Sequence, residues 1–183
     1  MATLDQSYAL ANGDNAFTLR FSTVLNVYLA QSFTTVSGGQ VEQVKLALNR
    51  LGTPTGNIWV EIWSDNAGTP NAQIGSSSAN VDVSTLVTTN PPVAYTTFTW
   101  SSGYPAISAS TKYWIVFNGD YAFSANVNNA QWEGDISSPS YAGGNYARWD
   151  GSGLGWTTST LYDFCFEEYY GSIATFTPKV IMF

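Results

Sequence analysis

Carboxylates are the only acid–base groups that this chain could bring together in number. The sequence has no histidine and one cysteine, Cys165. Nucleophilic sites that rely on histidine are therefore excluded, and so are an internal disulfide and the usual zinc sites. Two carboxylates alone can catalyse glycoside hydrolysis when they lie about 5–10 Å apart across the scissile bond.

Two carboxylate pairs are close enough in sequence to be considered. Glu167 and Glu168 lie in a predicted strand, where alternation sends them to opposite faces. Glu133 and Asp135 fall in a predicted loop, where we expect them to be solvated. Neither pair makes a convincing site, so we predict a protein that is not an enzyme. A small glycan-active enzyme is the least favoured alternative.

The remaining reactive groups point to neither a cofactor nor redox chemistry. Cys165 lies on the strand face of Asp163 and Glu167, and nearby acidic charge should raise the pKa of its thiol. Asp65 and Asn66 offer oxygen ligands to calcium, but they match no calcium-loop spacing. Such residues beside glycine are more often turns. We predict no metal and no cofactor, with Asp65 and Asn66 as weak calcium candidates.

Aromatic side chains offer a different chemistry, the binding of sugars. They make up 15% of the chain, and the CH faces of sugars stack on aromatic rings while polar side chains read the hydroxyl groups. The loop-rich stretch 124–160 holds the residues of the glycan site that we predict: Trp132, Tyr146, Arg148, Trp149, Asp150 and Trp156. The alternative is that these rings cap an open end of the fold or contact another subunit.

Two further apolar groups are candidates for an interface. Trp59 and Trp63 flank Glu61 and should share the strand face opposite Ile58 and Ile62. An exposed tryptophan pair of this kind usually marks a contact surface, unless a loop or the N-terminal arm covers it. The chain ends in a run that is apolar on both faces of a strand: Val180, Ile181, Met182 and Phe183. We predict self-association or docking through it, with an ordinary inner strand as the alternative.

The elements that must position these residues are strands. Short alternating runs, such as Asn57–Trp63 and Lys112–Asn118, are separated by Gly, Asn, Pro and Ser clusters at roughly 8–12-residue intervals. Lys112–Asn118 is apolar on both faces, which predicts a central strand covered on both. Gly52–Gly56 reads as a hairpin turn and Ser124–Gly144 as a long loop-like excursion. We predict an all-β fold with little or no helix, a single antiparallel β-sandwich domain over residues 1–183.

Charge and hydropathy exclude two classes of partner. Lys and Arg total 6 against 13 Asp and Glu, a net charge of −7. A nucleic-acid binder or a polybasic membrane anchor needs clustered cations, which these few cannot supply. The N-terminus lacks the basic and apolar regions of a signal peptide, and no apolar run approaches the ~20 residues of a membrane span. We therefore expect synthesis in a cytoplasm without Sec export.

An ordered series of short motifs resembles a known module. The series runs over roughly residues 28–171: Ala30–Phe33, Gly38-Gly39, Val44–Leu48, Gly52–Ile62, Ser64–Pro70, Phe98–Trp100, Thr111–Val116, Trp156, Asp163–Phe166 and Tyr170-Gly171. It is similar to the jelly-roll-like β-sandwich module of bacterial surface proteins and of phage structural, decoration and fibre proteins. That family has no shared catalytic residues to carry over. The chain departs from it by an N-terminal extension, 1–27, and an additional C-terminal strand, 172–183.

The resemblance implies a function. It favours a non-enzymatic structural protein of a phage virion, a capsid decoration or tail-associated subunit that self-associates and docks on other virion or capsid subunits. Such a protein would be a homo-oligomer located in the virion, and otherwise extracellular. The alternative is a carbohydrate-binding module that uses the aromatic residues of 124–160.

Overall fold

The computed structural model describes residues 2–20, 27–124, 127–151 and 155–171, and these residues form an all-β fold. Short helical turns occur at Leu10–Asn12 and Val83–Thr85. Over the described ranges, no helix is long and apolar enough to span a membrane. The strands are β1 (Thr3–Tyr8), β2 (Asn15–Leu19), β3 (Tyr28–Thr34), β4 (Gly39–Leu46), β5 (Leu48–Leu51), β6 (Asn57–Asn66), β7 (Thr69–Ile74), β8 (Val81–Asp82), β9 (Thr96–Thr99), β10 (Ala106–Ile107), β11 (Lys112–Gly119), β12 (Asn129–Asp135), β13 (Tyr146–Trp149), β14 (Trp156–Ser159), β15 (Asp163–Phe164) and β16 (Phe166–Gly171).

The largest sheet has the antiparallel order β14-β13-β3-β11-β6-β7, with β8 beside β6. Strand β11 is central, as the sequence predicts. Its Ile115 and Phe117 enter the main hydrophobic core, whereas Trp114 and Val116 are buried on the opposite face. Burial on both faces explains why the middle of this strand, residues 113–117, is apolar throughout.

Two smaller antiparallel sheets complete the fold. In one, β16 lies between β1 and β4, and β4 also pairs with β9 and β10. In the other, β12 pairs with β2, β5 and β15. The main core joins all three sheets through fully buried side chains such as Val44, Val60, Phe98, Trp132 and Phe164.

The N-terminal residues take part in the sheets, because β1 pairs with β16 and β2 pairs with β12. Two of the sequence predictions are wrong. The stretch 124–144 is not one long loop, because it contains the buried strand β12. The Gly52–Gly56 turn does not close a hairpin, because β5 and β6 belong to different sheets. The predicted strand 172–183 lies outside the described residues.

The largest sheet is strongly curled, and its two edge strands contact each other. Strands β14 and β7 are at opposite ends of the strand order, yet they contact each other, which makes the sheet a half-barrel. The concave face carries small side chains on neighbouring strands: Ala147 pairs with Ala30, and Ala30 pairs with Val116. Small residues there leave room for the curl. With Trp114 they form a second core, separate from the main one.

Candidate functional site

The concave face of the curled sheet holds a cleft of about 570 Å³. Four aromatic and two amide side chains line it, with Pro70 and Val116 as further apolar lining. This surface, hereafter the aromatic cleft, presents Tyr28, Trp63, Asn71, Asn118, Trp149 and Trp156. Its volume lies within the range of about 300–1,000 Å³ that is common for small-molecule sites.

Three tryptophans from two distant parts of the sequence meet in the aromatic cleft. The ring centroid of Trp156 lies 6.1 Å from that of Trp63 and 5.9 Å from that of Trp149, edge to face in both cases. All three rings are partly exposed. Trp149 and Trp156 are direct cross-strand partners, whereas Trp63 reaches them because the curl brings β14 close to β6 and β7.

A buried carboxylate holds one wall of the cleft in place. Glu61 is 7% exposed and accepts hydrogen bonds from Nε1 of Trp63 at 2.8 Å and from Nδ2 of Asn118 at 3.0 Å. It also accepts hydrogen bonds from Nε1 of Trp59 at 2.8 Å and from the Ser77 hydroxyl at 3.4 Å. These bonds fix the orientation of an indole ring and an amide that both line the cleft, because buried charge-assisted hydrogen bonds are strong.

The weak calcium candidates form a turn. Asp65 accepts hydrogen bonds from Nε1 of Trp114 at 2.7 Å and from the Gly68 backbone N–H at 3.0 Å. The backbone carbonyl of Asn66 accepts from the Thr69 hydroxyl. Both carboxylate oxygens of Asp65 thus stabilise the strand end and the tight turn. The ranges that the structure describes contain no cluster of three or more His, Cys, Asp or Glu side chains suited to a metal ion.

The structure divides the predicted glycan site. Trp149 and Trp156 line the aromatic cleft together, and their contact with a glycan stays a prediction. Tyr146 and Arg148 do not, because they alternate with Ala147 and Trp149 and therefore face the other side of β13. Asp150 follows β13 directly and is not among the cleft-lining residues.

The prediction that Trp132 contacts a sugar is wrong. Its side chain is fully buried in the main core, where its ring stacks on Phe164 with centroids 4.3 Å apart. Its Nε1 donates to the backbone carbonyl of Cys165 at 3.0 Å. Tyr146 is also core, since it is 7% exposed and packs against Phe17 and Phe164.

The predicted outward face of β6 is confirmed. Ile58, Val60 and Ile62 enter the main core, while Trp59 and Trp63 lie partly exposed on the other face. The cover on Trp63 comes from Trp156 of β14 and not from an N-terminal arm. Whether these tryptophans form an interface stays a prediction. The other predicted interface residues, Val180, Ile181, Met182 and Phe183, lie outside the described residues.

The acidic residues are more buried than the sequence suggests. Glu133 and Asp135 are 1% and 4% exposed in β12, so the expectation of solvation is wrong. Burial raises the pKa of Glu133, with a smaller contribution from Asp14, whereas Asp135 accepts a hydrogen bond of 2.6 Å from the Tyr8 hydroxyl. The thiol pKa of Cys165 is raised to about 12, mainly by burial and then by Glu133.

Glu167 and Glu168 do lie on opposite faces of β16. Glu167 is partly exposed and pairs with Lys45 at 3.0 Å. Glu168 is fully buried, and neither of its carboxylate oxygens has a hydrogen-bond partner. Burial, and then the charge of Asp5, raise the pKa of Glu168 to about 8.

Sequence reasoning missed half of the aromatic cleft. Tyr28, Asn118 and Asn71 come from three strands, and no local motif joins them. One signal was available: the second apolar face of β11, with Trp114 and Val116, requires a covering surface. That surface is the curled sheet itself.

No family model matches the chain, and no curated protein matches it. The resemblance to a jelly-roll-like module therefore stays a prediction. The geometry of the aromatic cleft is the basis for a proposed function.

Proposed function

We propose that this protein is a non-catalytic carbohydrate-binding protein that holds a neutral saccharide in the aromatic cleft. The observation that carries the proposal is the convergence of Trp63, Trp149, Trp156 and Tyr28 with two amide side chains in one cleft of about 570 Å³.

The chemistry of the lining suits a sugar. Indole and phenol rings offer flat apolar faces to the CH faces of pyranose rings, and amides donate to and accept from hydroxyl groups. Asn118 keeps an amide hydrogen for a ligand after its bond to Glu61, and Asn71 is exposed at the rim. An apolar site with a few fixed polar groups is the usual design of a specific ligand site.

The charge of the lining favours a neutral ligand. The described residues that line the cleft include no Lys, Arg, Asp or Glu, and the chain carries a net charge of −7. A sugar acid would find no cation there to offset its loss of hydration. The Glu61 carboxylate, which bonds to two of the lining side chains, already accepts hydrogen bonds from tryptophan and asparagine donors.

Calorimetric titration with neutral oligosaccharides tests the proposal. We expect Trp156→Ala and Trp149→Ala each to weaken binding about tenfold or more, since truncation of a central aromatic residue commonly costs about 2 kcal/mol. Tyr104→Ala is the control, because Tyr104 is a partly exposed aromatic residue that neither lines the cleft nor bonds to Glu61. Binding that survives both cleft substitutions, or its loss in the control alone, would contradict the assignment.

The same aromatic surface supports a second proposal, the phage virion subunit. Partly exposed tryptophans clustered on one face are typical of contact surfaces between subunits. Light scattering separates the two proposals. A virion subunit that associates through this face should lose oligomer mass in Trp156→Ala, whereas a carbohydrate-binding protein should keep its mass and lose only its ligand.

A further inference from the structure

A second hollow lies on the opposite face of β13 from the aromatic cleft. It has a volume of about 220 Å³, and its lining includes Thr18, Arg20, Val27, Leu29, Tyr146 and Arg148. We call it the basic hollow. Strand alternation separates the two sites, because Arg148 and Trp149 are neighbours in sequence and point to opposite faces of the sheet.

Strand register brings two arginines to the basic hollow. Arg148 is the cross-strand partner of Leu29, and Arg20 is the partner of Val27. Cross-strand partners share a face, and so do residues two apart on one strand. The partners Val27 and Leu29 are two residues apart. Both guanidinium groups therefore project from the same face of the sheet.

Neither arginine is paired with a carboxylate. Nε of Arg20 and Nε of Arg148 are both buried without a hydrogen-bond partner. Among the described residues the only ion pair is Lys45 with Glu167, and no Asp or Glu lines the hollow. The residues outside the described ranges include no Asp or Glu.

This arrangement is unusual for the chain as a whole. Acidic residues outnumber Lys and Arg by 13 to 6, so carboxylates are not scarce. Arg50, by contrast, has hydrogen-bond partners for its guanidinium group. Its Nε donates to the Leu86 carbonyl at 3.0 Å, and its Nη1 donates to the Gly52 carbonyl. Buried donors without partners carry a desolvation penalty, and two neighbouring guanidinium charges repel each other.

We propose that the basic hollow binds an oxyanion, namely a sulfate, phosphate or carboxylate group. The guanidinium fork matches the geometry of such groups and would donate N–H groups to them from the wall of the hollow. The hydroxyls of Thr18 and Tyr146 are further donors at the wall. Tyr146 keeps its proton at neutral pH, because burial raises its pKa to about 12. The site goes beyond the proposed sugar binding, since it lies on the other face and takes the opposite class of ligand.

Titration of the full chain with sodium sulfate, sodium phosphate and sodium acetate tests this inference and distinguishes the three groups. Ionic strength is held constant with sodium chloride. We expect saturable one-to-one binding by calorimetry and a saturating rise in Tm for at least one anion. Arg148→Gln and Arg20→Gln should each weaken it at least tenfold, and Arg50→Gln should leave it unchanged.

Two results would overturn the inference. One is the absence of saturable binding of all three anions to the unmodified protein, which requires no variant to fold. The other is an equal, non-saturating rise of Tm in the unmodified protein and in Arg148→Gln, because exclusion of sulfate from protein surfaces stabilises any fold in that way. Trp156→Ala should not affect anion binding, so failure of the sugar-binding proposal would leave this test intact.

Discussion

Glu168 should make the protein more stable in acid than at neutral pH. Its side chain is fully buried on β16, and both carboxylate oxygens lack hydrogen-bond partners. Burial, followed by the charge of Asp5, raises its pKa from 4.5 to about 8. Protonation is therefore favoured in the folded state, whereas the unfolded chain ionises near the ordinary value.

The sign and size of the effect follow from linkage. A raised folded-state pKa gives stability that is fully present below about pH 4.5 and is lost as the pH rises towards 8. Each pKa unit corresponds to about 1.4 kcal/mol, so Glu168 alone should remove about 3 kcal/mol between pH 4 and pH 7 and about 5 kcal/mol by pH 9. Such a loss is a large fraction of the stability of a typical domain.

Urea unfolding of the unmodified protein and of Glu168→Gln, at several pH values from 4 to 9, measures this contribution. Glutamine has the shape of the protonated acid and does not ionise, so the variant should lose about 3 kcal/mol less between pH 4 and pH 7. Glu167→Gln is the matched control on the same strand. Although burial raises its pKa, hydrogen bonds from Tyr169 and Lys45 lower it overall, so Glu167 stabilises the fold at neutral pH and loses that effect in acid. Identical pH dependence in Glu168→Gln and the unmodified protein would refute the reasoning.

Three other substitutions or modifications test the fold. Trp132→Ala should cost about 3–5 kcal/mol in urea unfolding, because it empties a fully buried site against Phe164; a loss below about 1 kcal/mol would contradict its place in the core. Cys165 should resist iodoacetamide at pH 8 in the folded protein and react in denaturant, since its thiol pKa is about 12 and its side chain is buried; alkylation at equal rates in both states would count against this. Gly52→Ala should lower Tm, because Gly52 has a φ of 68° and a Cβ there would collide with the Val127 carbonyl oxygen. Gly68→Ala has a similar backbone angle but open space around it, so it should cost less.

Alternation predicted the strands whose two faces have clear roles. In β6, Ile58 and Ile62 alternate with Trp59 and Trp63, and the structure places the two sets on opposite faces. In β11 both faces are apolar and both are buried. These assignments are local, since they depend only on the period of two residues along one strand.

The aromatic cleft was only partly predictable because it depends on the curl of a sheet. Trp63 and Trp156 meet across four intervening strand pairings, and nothing in the sequence near either residue indicates that β14 returns to β7. The error at Tyr146 and Arg148 has a different origin. Alternation along β13 separates them from Trp149, although they are close to it in sequence.

Strand β12 was missed because three of its buried side chains, Asn129, Glu133 and Asp135, are polar or acidic. Glu133 and Asp135 are buried in this strand, as are Asn129 and Trp132. Asp135 is stabilised there by the Tyr8 hydroxyl, and the raised pKa of Glu133 favours its neutral form over burial of a charge. A hydropathy pattern does not register carboxyl groups that are accommodated by tertiary contacts.

The pairing of β1 with β16 has a consequence for biosynthesis. Thr3 is the partner of Tyr170 and Tyr8 is the partner of Phe166, so β1 cannot pair until β16 has left the ribosome. Strand β4 has the same requirement, because its long partner is also β16. Contacts of such sequence separation make folding slow and leave strand edges open during translation. We expect the open edges of β1 and β4 to need protection by chaperones until β16 has left the ribosome, and the sheet that contains β16 to form only then.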